Sequence, residues 1–427
     1  MANDIGWLDD ILKPSNQDHS KEPMPWHLGI YDAHCHPTDT PSCLEDIPAM
    51  RARALTIMAT RGEDQNVVAS FARRFGVFST SKLLLFQSDM SFDESKIIPS
   101  FGWHPWFSHQ LYDDAILGSQ EAISEDEKIQ HYKDVITPVP EDDEFLRHLP
   151  EPRPLSGLLD ELRGYLEELH YALVGEIGLD RTFRLPENWL PNVHTESNDE
   201  STPGGREGRR LSSYRVQMDY QRKILKAQLN LAGELQRAVS VHGVAAHGIL
   251  YETLRETWKG YEREVVSKRE QKKRADAVKI QAEDQESGES SRSMPFPPRI
   301  CLHSYSGPPD TLRQYFHPSV PADVYCSFSV LVNFKSSTAN KTIDVIKAVP
   351  NHRILVESDL HCAGDQMDQL LEQMVRCVCE AKEWSLEGGV KQLASNWFRF
   401  ISGRVPDQSQ SGQNSSLNGE GLEQEQG

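Results

Sequence analysis

Residues 31–40, YDAHCHPTDT, set two histidines one residue apart, His34 and His36, directly after the apolar run HLGIY (27–31) and beside Asp32. In a β-strand side chains i and i+2 share a face, so a strand over this run delivers both imidazoles from its end in one direction. That is chelate spacing. The same pattern, a short apolar segment ending in a polar, metal-capable or glycine residue, recurs along the chain. It is seen in HLGIYDAH (27–34), ALTIMATR (54–61), KIIPSFGWHP (96–105), ALVGEIGLD (172–180), AVSVHG (238–243), RICLHSYSG (299–307), DVYCSFSV (323–330) and RILVESD (353–359). Most of these segments are separated by stretches of helical periodicity, such as residues 214–238 and 365–383. Eight strands alternating with helices predict an α/β fold, a (β/α)8 TIM barrel with surface insertions, whose active site lies at the C-terminal ends of the strands.

The rhythm predicts a barrel over residues 27–402, an N-terminal extension over 1–26 and a disordered tail over 403–427, where the text runs QSQSGQNSSLNGEG. Three stretches interrupt it and read as surface insertions. Residues 110–156 are acidic and polar, 186–212 are rich in Pro, Asn, Ser and Gly, and 259–298 run from mixed charge into EDQESGESSRSMPFPP. Residues 256–283 suit a solvated helix of mixed charge rather than a nucleic-acid grip.

Composition narrows the function classes. No apolar run of about 18 residues and no basic segment followed by an apolar one opens the sequence, so neither a membrane span nor a signal peptide is expected, and the reading is cytoplasmic and/or nuclear. The seven cysteines lack CxxC spacing, which argues against a disulfide framework or a thiolate zinc site; Cys377 and Cys379 read as buried helix residues. A formal charge of -19 disfavours nonspecific adhesion to nucleic acid, yet divalent cations can present local positive charge inside an acidic protein.

The polar residues at the expected strand ends are His34 and His36, Glu176, His242, His303 and Asp359. In a closed barrel these five ends converge on one rim. Neutral imidazoles with carboxylates suit Zn²⁺, Mn²⁺ or Fe²⁺, and Mg²⁺ where carboxylate and water dominate. Six ligands exceed what one four-coordinate ion needs and fit two divalent metal ions bridged by a carboxylate. One histidine among sixteen carries little weight; what carries weight is that these fall where a barrel requires them. His109, His131, His148 and His194 lie in polar insertions and His247 on a following helix, and all read as structural.

In this order YDAHCH, FGWHPW, VGEIGLD, SVHG, LHSYSG, SFSV and LVESD resemble the TatD-related metal-dependent deoxyribonucleases of the amidohydrolase superfamily, over roughly residues 27–400 outside the insertions. The resemblance implies that His34, His36 and Asp359 hold a first metal, that Glu176 bridges, and that His242 and His303 hold a second. It implies a place near substrate for His104, and for Asp180 a role orienting a ligand or contacting substrate, with a helix N-cap as the structural alternative. The activity implied is phosphodiester hydrolysis by an activated water, Asp359 accepting its proton, with Asp32 in support.

Two departures bear on substrate. The family commonly carries an arginine two residues after the histidine of the fifth strand, and here Val244 stands there; ESDLHCAG also lacks the proline usual soon after the aspartate. DNA or another phosphodiester is the expected substrate. Two further readings fit the same residues. One is a scaffold that binds a protein partner, a role the resemblance implies because some fungal TatD-like proteins are described as partners of a tetratricopeptide cell-cycle protein, and one the acidic insertions would serve here; the other is an amidase or lactonase using the same metals.

Overall fold

The computed structural model describes residues 22–77, 83, 95–117, 123–187, 210–265, 294–334 and 339–404. Each of the eight expected apolar segments contains a strand: β1 (Tyr31–Cys35), β2 (Ala54–Met58), β3 (Ile97–Phe101), β4 (Leu173–Asp180), β5 (Val239–Val244), β6 (Arg299–Leu302), β7 (Asp323–Phe328) and β8 (Ile354–Val356). They pair in parallel in chain order in one eight-stranded sheet. Strand β1 is followed by 3-10 turns (Pro37–Asp39, Pro41–Ala49), the second with Pro48 in its interior, where proline disfavours an α-helix. The other seven strands are followed, directly or past an insertion, by α1 (Gly62–Phe75), α2 (Leu155–Glu168), α3 (Met218–Glu234), α4 (His247–Thr257), α5 (Pro309–Tyr315), α6 (Ala339–Ala348) and α7 (Asp365–Lys382), with α8 (Leu386–Ser402) last. The chain is a (β/α)8 barrel.

Alternation sorts the strand residues. Leu55, Ile57, Ile97, Val174, Val239, Ile300, Val324 and Ile354 pack with the helices, whereas Ala54, Ile98, Leu173, Cys301, Tyr325 and Leu355 form a second cluster with Trp397, Phe398 and Phe400 of α8. Trp397 stacks on Tyr31, the first residue of β1, and Arg299 Nε at the start of β6 donates to the Phe400 carbonyl, so α8 closes the N-terminal end of the barrel.

At the seam, Asp32 joins the first strand to the last. Its Oδ1 accepts from the His34 and Ser358 amides (3.0 and 3.1 Å) and its Oδ2 from the Ser358 hydroxyl (2.5 Å). The Asp359 amide donates to the His34 carbonyl (3.1 Å) and the His36 amide to that of Leu360 (2.8 Å). A disulfide between Cys43 and Cys362, with Cα atoms 5.6 Å apart, ties the segments beyond these strand ends. Cysteine spacing did not predict it, since the partners stand 319 residues apart and only barrel closure brings them together.

The insertion after β3 is not merely a polar surface stretch. It carries helices at Glu125–Val135 and Asp143–His148 and small strand pairs, Leu111–Tyr112 with Arg153–Pro154 and Ile136–Thr137 with Arg215–Val216. Ile129, Tyr132, Val135, Leu146 and Leu149 form an apolar cluster with Phe183, Leu185 and Val216 from the segment after β4. His109 and His131, expected in a polar insertion, are buried. Cys379 is buried on α7 and Cys377 half-buried. Most of the second and third insertions, the expected helix beyond residue 265, residues 1–21 of the N-terminal extension and 405–427 of the tail lie outside the described residues.

Candidate metal centre

The parallel ladder is interrupted at two places that matter. The register shifts between Asp32 and Cys35 in β1 and between Val174 and Ile177 in β4, the intervals that hold His34 and Glu176. Such irregularities re-aim side chains at strand ends. Glycine permits the tight approach of β4 to β5, for a Cβ on Gly178 would lie 2.0 Å from the His242 carbonyl oxygen.

Glu176 stands at the centre, 4% exposed, with its two oxygens facing different groups. Oε2 lies 3.3 Å from His36 Nε2 and 3.6 Å from His34 Nε2. Those two nitrogens are 3.1 Å apart, and Asp359 Oδ1 lies 3.5 Å from the first and 3.9 Å from the second. Oε1 lies 2.8 Å from His242 Nδ1, 2.8 Å from His303 Nε2 and 3.2 Å from His104 Nε2. Three overlapping sets, His34/His36/Glu176, His34/His303/Asp359 and His104/Glu176/His242, have ligand-capable atoms close enough to hold an ion. All six expected ligands and His104 thus meet at one rim.

The electrostatics favour positive charge here. Burial opposes a proton on His36, but Asp359 and Glu176 outweigh it and lift its pKa to about 9. His242 is raised by Asp180 and Glu176, and His303 is held well above its usual range by Glu176 and Glu357, both against burial. Burial would raise the carboxylates, yet Glu176 is held far down by His104 and His303, and Asp359 is lowered by His36, His303 and His34. Burial lowers His34 and takes His104 down to about 4, so both rings are neutral at pH 7. Buried carboxylates surrounded by imidazole nitrogens are the donor set of a divalent transition-metal ion, and the residues fit one.

Hydrogen bonds assign which ring nitrogens are available. His242 Nε2 lies 3.2 Å from Asp180 Oδ2, so its proton is held there and the Nδ1 lone pair faces the site. His34 Nδ1 meets the Ser240 hydroxyl at 2.8 Å, leaving Nε2 inward. His303 Nδ1 faces Glu357 Oε1 at 3.7 Å, a carboxylate that also accepts from the Ser304 amide and hydroxyl. His104 differs: its Nδ1 accepts from the Trp106 amide (3.2 Å), so its Nε2 carries the proton and points it at Glu176 Oε1.

Asp180 is 3% exposed and fully engaged. Oδ1 accepts from Thr182 N, Thr182 Oγ1 and Phe183 N (2.7, 2.8 and 3.0 Å), and Oδ2 from Trp106 Nε1 (2.6 Å) as well as His242. Both of its oxygens are thus taken by groups of the chain, the His242 ring among them. It is no N-cap, since α3 begins only at Met218. Trp106, stacked on Phe183, joins the folded insertion to this network. Ser240, Glu357 and Trp106 were not singled out from the sequence. Glu357 alone left a signal there, a carboxylate inside the apolar run RILVESD.

The sequence model of the family described as TatD related DNase matches residues 31–402. The Cut9-interacting protein scn1 of Schizosaccharomyces pombe is 38% identical over 372 residues, 87% of this chain and 98% of that protein. The uncharacterized deoxyribonuclease YMR262W of Saccharomyces cerevisiae is 27% identical over 336 residues, 77% of this chain and 83% of its own. Among solved structures, YJJV, a TatD homolog from Escherichia coli, aligns at TM-score 0.45 and 16% identity, covering 88% of this chain and 98% of that one. With a family match over almost the whole barrel and a 38% identical relative aligned nearly end to end, the chain belongs to the TatD related DNase family.

Proposed function

We propose that the protein is a metal-dependent phosphodiesterase, a deoxyribonuclease or a close relative of one, in which two divalent ions share Glu176. The observation that carries this reading is the division of the Glu176 carboxylate, one oxygen toward His34 and His36 and the other toward His242 and His303. His34, His36 and Asp359 would hold one ion and His242 and His303 the other, with Mg²⁺, Mn²⁺ and Zn²⁺ as the candidates. When bound, such ions make water a nucleophile near neutral pH and offset charge on the phosphate oxygens. Asp359 would accept the proton of the attacking water as its oxygen bonds to phosphorus and the P–O bond to the leaving oxygen breaks. His104, neutral with its Nε2 proton facing the centre, can donate a hydrogen bond to a phosphoryl or leaving oxygen. Asp180 and Ser240 would fix the orientation of the His242 and His34 rings.

The test is hydrolysis of an end-labelled single-stranded oligonucleotide by metal-stripped protein, restored with Mg²⁺, Mn²⁺ or Zn²⁺ in turn, with Glu176→Ala as control. Metal-dependent cleavage absent from the variant is expected. Wild-type activity in E176A would overturn the assignment of the site. A second reading, docking of a protein partner, is favoured by the 38% identity to a protein named as Cut9-interacting and by an insertion with its own apolar core. E176A should leave such binding intact.

A further inference from the structure

A phosphodiester needs a cation beyond the metals to fix its backbone, and Val244 supplies none at the end of β5. The neighbouring strand β4 does. Arg181 directly follows Asp180 at the end of β4, and its amide donates to the Val244 carbonyl at 3.1 Å, so the two residues stand side by side on the rim. The segment carrying it is firmly held: Asp180 takes the Thr182 and Phe183 amides, Phe183 is buried against Trp106, and the Leu185 amide donates to the Tyr214 carbonyl. Arg181 itself is exposed, as is Arg184 three residues on. Neither guanidinium has a carboxylate partner among the described residues, in a chain of net charge -19 where many described arginines are ion-paired. With no carboxylate partner among the described residues, and with the Arg181 backbone bonded to the end of the strand that carries His242, these two exposed cations are available to a substrate phosphate.

We infer that Arg181, with Arg184 behind it, is the phosphate-binding side chain of this site and selects substrates that carry a phosphate beside the scissile phosphodiester. The inference rests on the phosphodiester reading above and adds the group that grips the backbone.

Its test is fluorescence anisotropy with a labelled single-stranded oligonucleotide and the full-length Glu176→Gln protein, which keeps the substrate uncleaved, titrated over a range of salt. Adding Arg181→Met should weaken binding about tenfold at low salt and lower the slope of log K against log salt by about 0.7, the loss of one phosphate contact on a single strand. Arg184→Met should show the smaller change of the two, and Val244→Arg placed on the R181M background should restore affinity and slope. In cleaving protein, R181M should raise KM more than it lowers kcat. Unchanged affinity and slope in R181M would overturn the inference and leave the phosphodiester reading standing. Metal-loaded wild-type protein that neither binds nor cleaves the oligonucleotide would instead overturn that reading, and this inference with it.

Discussion

Replacing Asp180 by Asn tests the orientation argument, because the change is isosteric and its effect is fixed by hydrogen-bond chemistry. Every neighbour of this carboxylate is a donor: two amides and a hydroxyl at Oδ1, the indole N–H and the His242 ring at Oδ2. Asparagine has one oxygen, so its NH2 must face donors on one side or the other. Facing Oδ1's partners it leaves buried amides unpaired, at about 1–3 kcal/mol. Facing His242 it forces the ring to accept at Nε2 and carry its proton on Nδ1, the atom turned to Glu176, which removes that lone pair from the metal. Loss of a partner that orients a ligand histidine costs about 10–100-fold in metal affinity, or roughly 1.4–2.7 kcal/mol. Calorimetric titration of metal-free D180N with Mn²⁺ or Zn²⁺ should therefore show one of two sites weakened by that factor and the other close to wild type, with hydrolysis falling in parallel. Two sites of wild-type affinity in a folded D180N would refute the claim that Asp180 sets the His242 tautomer.

Ser240→Ala should weaken the other ion, about tenfold, because His34 loses the partner of its Nδ1; metal titration checks this, and unaltered affinity would show that packing alone holds the ring. Gly178→Ala should cost several kcal/mol, roughly the scale of a severe core disruption, since the new methyl meets the His242 carbonyl at 2.0 Å and backbone cannot retreat cheaply; denaturant unfolding measures it, and a wild-type midpoint would contradict the strand spacing. His109 gives a pH dependence away from the metal centre. Burial pushes its folded pKa down to about 3, below the unfolded value near 6.5, so the unfolded chain takes up this proton first. Its contribution is intact above pH 6.5 and declines by up to about 1.4 kcal/mol per pH unit as the pH falls toward 3. Unfolding of wild type and His109→Gln compared between pH 7 and 5 should show the steeper loss in wild type; parallel slopes would mean that His109 is not buried neutral.

The strands were legible because each apolar run ends where polar or metal-capable residues begin, and the meeting of the six candidate residues at one rim was legible because a barrel specifies where its strand ends converge. Other features depend on contacts that sequence distance conceals. Ser240 is an ordinary serine until it is seen opposite His34, 206 residues away. The Cys43–Cys362 bond and the Asp32–Ser358 hydrogen bonds exist only once the first and last strands meet. The insertion after β3 misled for a different reason. Between residues 105 and 154 it has twelve acidic and four basic residues, so its average looks like a solvated surface, while a few apolar side chains build a core with a segment beyond β4. Arg181 was passed over because one arginine in a sequence says nothing about whether a carboxylate neutralises it.

The seam between β1 and β8 also dictates when the site can come into being. His34 and His36 leave the ribosome early, but Asp359 and the Ser358 that grips Asp32 lie more than 320 residues later, and α8, which closes the barrel floor, ends at Ser402. During synthesis the first two histidines must wait for nearly the whole chain before the other residues of the rim surround them. A product truncated anywhere before residue 359 lacks at least one of the residues that meet at this rim, so neither a nascent chain nor a proteolytic N-terminal fragment carries the full donor set.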